Sequence, residues 1–156
     1  MTQDVDLLIA LDVRPQALLA RLSAAGFRSK GRSPVIRLED AEFIQLFCEP
    51  PGELMEIQLD LLLANTEFQK KALERRVWLP AGELGFEVAV LACEDLIIMK
   101  LGAGRIIDRF DAAALLKANR YILDLQYLTS WVAKLGVDQA FNDAWKDAFG
   151  VEKPPR

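Results

Sequence analysis

Leu54-Met55-Glu56-Ile57-Gln58-Leu59-Asp60-Leu61-Leu62-Leu63 reads as one long strand with two unlike faces. Ile57, Leu59 and Leu61 fall on one side while Glu56, Gln58 and Asp60 alternate on the other, the period of two that a pleated, half-wetted strand requires. Asp60 stands inside an otherwise apolar run. Burying a bare carboxylate is expensive, so this one must be hydrated, paired or bound to a metal ion.

Upstream, Asp4-Val5-Asp6-Leu7-Leu8-Ile9-Ala10-Leu11 is rich in apolar, branched residues and is expected to form a strand covered on both faces. Pro15 suits a first helical position, Leu18, Leu19 and Leu22 form an apolar stripe, and Gly26 closes the helix over 16–25. Val35 to Leu38 and Phe43 to Cys48 read as strands around a Glu39-Asp40 turn, and Pro50-Pro51-Gly52 is a hard stop. Thr66 to Arg75 suits a short helix, and Val77 to Leu79 and Phe86 to Leu91 suit strands flanking Pro80-Ala81-Gly82. After Ala92 the texture turns helical, over 93–101, 107–117, 123–135 and 138–149, with breaks at Gly102-Ala103-Gly104 and Gly136. The tail Lys153-Pro154-Pro155-Arg156 is expected to fray.

This layout, strand-rich over 1–91, helical over 92–150 and a tail at 151–156, leaves little room for a linker. We expect a single α/β (α+β) domain over 1–156, a mixed β-sheet with helices packed on one side and a C-terminal helical half.

Composition removes several functions. Nineteen Lys and Arg against 23 Asp and Glu give a net charge of −4, which excludes nucleic-acid binding through bulk positive charge and leaves only a local basic patch. The sequence contains no histidine, so Ser-His-Asp and Cys-His catalysis and imidazole zinc ligation are absent. Cys48 and Cys93 form no CxxC pair, and their apolar neighbours suggest buried free thiols. No stretch approaches the ~20 apolar residues that cross a bilayer, so no membrane partner is expected. Asp4 and Asp6 sit where a signal peptide carries positive charge, which makes the cytoplasm the expected location.

Carboxylates therefore carry whatever chemistry there is. Asp4 and Asp6 are two apart on a strand and share a face. Two like charges held together invite a divalent cation, and carboxylate oxygens suit Mg²⁺ or Mn²⁺. If the strand ending at Leu63 lies beside the first, Asp60 or Glu56 completes a cluster of three. The alternative is that these acids form the wet face of a strand and keep its edge soluble.

Taken in order, Asp4-Val5-Asp6-Leu7, Ile57-Gln58-Leu59-Asp60-Leu61-Leu62 and Cys93-Glu94-Asp95-Leu96-Ile97-Ile98-Met99-Lys100-Leu101-Gly102-Ala103-Gly104-Arg105, followed by Asp108 and Asp111, carry a resemblance. Over 4–117 the chain resembles the nucleotidyltransferase superfamily, in the branch of small bacterial proteins similar to abortive-infection and toxin–antitoxin nucleotidyltransferases. The resemblance implies Mg²⁺ (or Mn²⁺) held by Asp4, Asp6 and Asp60, and transfer of NMP from an NTP to a hydroxyl of RNA or of a partner protein. It also implies phosphate or acceptor contacts by Lys100 and Arg105. The family has a Gly-Ser turn shortly before the paired acids, which cradles the triphosphate, whereas this sequence starts at Met1, just ahead of Asp4. The expectation is a member lacking that element, through a start placed too late or through loss of NTP binding. The alternative function is a catalytically degenerate module that binds a protein partner, or a homodimer formed through exposed sheet edges.

Other residues admit simpler roles. Arg28, Lys30, Arg32 and Arg37 cluster around Gly31, either as a phosphate or RNA contact or as a solvated hairpin. Lys100 and Arg105 also suit a helix C-terminus, and Glu94, Asp95, Asp108 and Asp111 suit helix N-termini. Phe141, Trp131, Trp145 and Phe149 suit a core or a protein interface, since no basic residues alternate with them as base stacking requires.

Overall fold

The computed structural model describes residues 4–11, 15–31, 34–38, 41–50, 52, 55–82 and 85–151. It is a mixed α+β structure with a helical C-terminal half, and the chain divides into two compact units, 1–74 and 75–156.

The first unit contains β1 (Asp4–Ile9), α1 (Pro15–Ala24), β2 (Val35–Leu38), β3 (Ala41–Cys48), β4 (Ile57–Leu63) and α2 (Glu67–Glu74). Its sheet runs β1-β4-β3-β2, with β1 parallel to β4 and the other neighbours antiparallel. One face is the core. Ile44 and Leu46 of β3 and Leu59, Leu61 and Leu63 of β4 are buried there. Leu18, Leu19 and Leu22 of α1 pack against them, together with Ile9, Leu11, Phe27 and Val35.

Helix ends follow their sequence signals. After α1, Gly26 adopts φ +91° while Phe27 N–H donates to Leu22 O and Gly26 N–H to Ser23 O. That pair of bonds satisfies the last carbonyls, and a side chain at Gly26 would be strained. At the start of α2, Gln69 N–H donates to Thr66 Oγ1, and Gln69 Oε1 accepts from the Thr66 and Asn65 N–H groups, a reciprocal capping box.

Strand β1 corrects one expectation. Instead of being covered on both faces, it is an edge strand with β4 as its neighbour, and Val5 and Leu7 are 45% and 44% exposed. Ile9 packs against the core cluster, whereas Val5 and Leu7, paired with Leu59 and Leu61 on the same sheet face, stay half-exposed. The expected Glu39-Asp40 turn, Pro51, Leu54 and the tail at 153–156 lie outside the described residues.

The second unit opens with the antiparallel pair β5 (Val77–Pro80) and β6 (Glu87–Val90), exposed along both strands. Four helices follow, α3 (Cys93–Ala103), α4 (Ile106–Ala118), α5 (Leu125–Leu135) and α6 (Asp138–Phe149). Gly102 does not break α3. The helix continues to Ala103 and stops at Gly104, which takes the left-handed conformation. Ile97, Ile98, Leu101, Leu116, Leu128 and Val132 are buried, as are Trp131, Phe141 and Trp145, so these aromatic residues are core. Cys48 and Cys93 are free thiols, half-buried instead of fully buried. Among the described residues no helix is long and apolar enough to cross a membrane.

Ile44 is fully buried in the middle of the first sheet. Ile44→Ala is expected to destabilise the first unit by about 2–4 kcal/mol, through lost transfer energy and the cavity left behind. Urea unfolding followed by far-ultraviolet circular dichroism measures the loss.

Candidate functional site

The parallel pairing of β1 and β4 sets Asp6 opposite Asp60 and Asp4 opposite Gln58. Laterally paired residues share a sheet face, and β4 buries Leu59, Leu61 and Leu63 on the other one. Asp4, Asp6 and Asp60 therefore lie on the same non-core face, on neighbouring strands roughly 4.8 Å apart. The antiparallel pairing of β3 with β4 adds Gln45 opposite Asp60, giving a polar row Gln45–Asp60–Asp6 across three strands.

Asp60 is half-buried, and Asp4 and Asp6 are exposed. Both Asp60 oxygens accept hydrogen bonds, Oδ1 from Gln45 Nε2 at 3.2 Å and Oδ2 from Gln58 Nε2 at 2.8 Å. A half-buried carboxylate is thus satisfied by two neutral amides, as the cost of desolvation demands. Carboxylate oxygens are the chemistry a hard divalent ion prefers. Yet among the described residues no group of three or more Asp, Glu or Cys side chains stands close enough together to hold a metal ion. The backbone brings the three acids to one face, and the side chains do not gather them around a common point.

Glu56 belongs to a different cluster. It accepts from Arg28 at 2.8 Å and from Lys30, and Arg28 also pairs with Glu49. The Lys30 ammonium lies 3.9 Å from the centre of the Phe47 ring, and Arg37 pairs with Glu42 at 3.0 Å. The described cations of this loop face carboxylates and an aromatic ring, and Arg32 lies outside the described residues.

Lys100 and Arg105 lie in the second unit, on α3 and at the start of α4. Lys100 Nζ donates to Asp111 at 2.8 Å and to Asp108 at 3.2 Å. Arg105 grips both oxygens of Asp108, at 2.6 and 3.0 Å. Asp108 is only 1% exposed, so it does more than complement a helix dipole: it ties α3 to α4. The hydrogen bond from Arg105 chiefly, with Lys100 adding, holds the Asp108 carboxyl below its ordinary value against the opposing effect of burial. Lys100 is raised, first by its bond to Asp111 and then by Asp108, again against burial.

A second cluster joins Arg75, Glu94, Asp95 and Tyr127. Arg75 donates to Asp95 at 3.0 Å and to Glu94 at 3.1 Å, and its guanidinium stacks 3.7 Å from the Tyr127 ring centre. Tyr127 Oη donates to Asp95, and Glu94 accepts from the Asp124 N–H. Burial opposes the charge on Arg75, but the bond to Asp95 and the surrounding acids outweigh it and keep its pKa above the ordinary value. Burial, then the bond to Asp95, push the Tyr127 hydroxyl up. Cys93 is also raised, by burial and then by Glu94, which makes it a poor nucleophile. Every charged member of the Arg75 cluster is paired with its neighbours, as in a structural network.

Sequence reading did not find Gln45 or this network. Gln58 carried a usable signal, since it precedes Asp60 by two on the same strand face. No family model matches this chain, and no curated protein matches it either.

Two outcomes follow for the second unit. Because the Asp108 carboxyl is depressed in the folded state, its charge contributes stability above about pH 4 that is lost as pH falls through the lowered value. Asp108→Asn should cost about 1–3 kcal/mol at pH 7 and flatten that acid limb, as read by urea unfolding across pH 2–7. Asp95→Ala should cost more, about 3–5 kcal/mol, because Asp95 is fully buried and Arg75 is left beside a void.

Proposed function

We propose that 1–74 is a nucleotidyltransferase-like platform and that the protein transfers NMP from an NTP to a hydroxyl of RNA or of a partner protein, in a toxin–antitoxin-like setting. The observation that supports this reading is the register of β1 and β4, which sets Asp6 beside Asp60 with Asp4 on the same face. Acids from two segments distant in sequence, Asp4 and Asp6 on one and Asp60 on the other, share one face of the sheet, in the order that the resemblance expects.

Asp4, Asp6 and Asp60 would hold Mg²⁺ or Mn²⁺, which supplies charge neutralisation on the phosphates and makes the attacking hydroxyl easier to deprotonate. In the second unit, Arg105 and Lys100 serve by holding Asp108. The proposed location is the cytoplasm, which supplies NTPs and keeps separate thiols such as Cys48 and Cys93 reduced.

A second reading is favoured by a specific observation. Both oxygens of Asp60 are held by glutamine amides, which suits a platform that has lost catalysis and acts by binding a partner protein or a second copy of itself. The half-exposed Val5 and Leu7 on edge strand β1 give that reading a surface to pair.

Thermal shift with ATP, GTP, CTP or UTP plus Mg²⁺ separates the two. An NTP at about 100 times its Kd stabilises by about 2.7 kcal/mol, several degrees in Tm. Transferase function requires such a Mg²⁺-dependent rise with one NTP, abolished in Asp6→Ala. No rise with any of the four supports the binding module.

A further inference from the structure

Helix α4 carries apolar residues on two faces. Ala112, Ala113 and Leu116 are buried on one, with Asp108. The other begins with Ile106, Ile107 and Phe110, exposed at 76%, 61% and 53%, and continues through exposed Ala114, Lys117 and Ala118. These six positions recur at steps of three and four and so line one stripe of the helix. Tyr121, 92% exposed, follows in the turn beyond, beside exposed Ile122. A helix apolar on all sides is ordinarily covered, and these exposures leave the second stripe open.

We propose that a second copy of this chain covers it, the two α4 helices packing antiparallel about a two-fold axis level with the middle of the helix. The stripe is self-complementary in that arrangement, because its large residues occupy the first half of α4 and its small ones the second. Phe110 of one copy falls opposite Ala114 of the other, Ile106 opposite Ala118, and Ile107 opposite the alkyl stem of Lys117. The same register carries Tyr121 to the Gly102-Ala103-Gly104 junction of the other copy, where a Cβ at Gly102 or Gly104 would meet nothing within 4 Å. Two-fold symmetry makes each contact twice.

The area suffices. With aromatic side chains of roughly 150–250 Å² and isoleucines somewhat smaller, Ile106, Ile107, Phe110, Tyr121 and Ile122 leave about 700 Å² open, near the roughly 800 Å² that each partner gives a standard interface. Charges beside the stripe are already paired within each copy: Asp111 with Lys100, Arg109 with Asp147 and Arg105 with Asp108. The two Lys117 side chains fall near opposite ends of the helix pair, so like charges are not brought together. The inference goes beyond the functions proposed above and does not depend on them, since it uses α4 and not the acids or the edge of β1.

Sedimentation velocity of the full chain at about 100 µM tests it, roughly a hundredfold above the micromolar Kd at which interfaces of this size begin. The unaltered chain should sediment as a dimer. Ala114→Glu should weaken the dimer about a hundredfold or more, because it buries an unpaired carboxylate in each copy. Ala114 is exposed and glutamate favours helix, so this variant keeps its fold, which circular dichroism checks. Phe110→Ala and Ala114→Phe should each weaken association, the first by leaving a gap and the second by setting two phenylalanines face to face. Combining them exchanges large and small residues and should restore the dimer, as an antiparallel pairing of two copies requires. A monomer at that concentration overturns the proposal. So does a dimer indifferent to Ala114→Glu, as pairing through β1 would give, or a double variant that associates no better than the single ones.

Discussion

The parallel pairing of β1 with β4 is the constraint on which the first unit depends. Because side chains alternate along a strand, a slip of β1 by one residue would send Asp4 and Asp6 to the core face and Ile9 out of it. The packing of Ile9 from β1 and of Leu59, Leu61 and Leu63 from β4 in one core therefore fixes more than stability. It determines that Asp4, Asp6, Gln58 and Asp60 share the opposite face. The hydrophobic face sets the register, and the register sets the polar row.

Strand β4 was legible because its alternation is clean: Ile57, Leu59 and Leu61 against Gln58 and Asp60. The position of Asp60 beside Asp6 was legible only as a conditional, since strand order is not written in either segment alone. Gln45 was hidden for the same reason, because its meeting with Asp60 depends on the antiparallel pairing of β3 and β4. The exposure of Val5 and Leu7 was misread because their apolar character alone does not reveal an edge strand. Gly102 was misread as a break because a glycine inside a helix and a glycine ending one look alike, until Gly104 is seen to take the positive φ.

Charged residues in the second unit show how a correct local rule can conceal a larger one. Glu94, Asp95 and Asp108 do lie in first helical turns, where acids complement the backbone dipole. Two of them are also fully or almost fully buried, which no exposed dipole partner needs to be. Arg75 precedes β5 and Tyr127 lies on α5, so only the packed helices bring them to Asp95. Their ion pairs and hydrogen bonds tie the start of α3 to α5 and to the segment before the hairpin, while Asp108 ties the end of α3 to α4.

All three tryptophans (Trp78, Trp131, Trp145) and both tyrosines (Tyr121, Tyr127) fall within 75–156. The acid-bearing sheet thus contains phenylalanine as its sole aromatic residue type. Intrinsic emission excited near 295 nm reports on the helical unit by itself, and a single tryptophan placed in the sheet would give each unit its own optical signal.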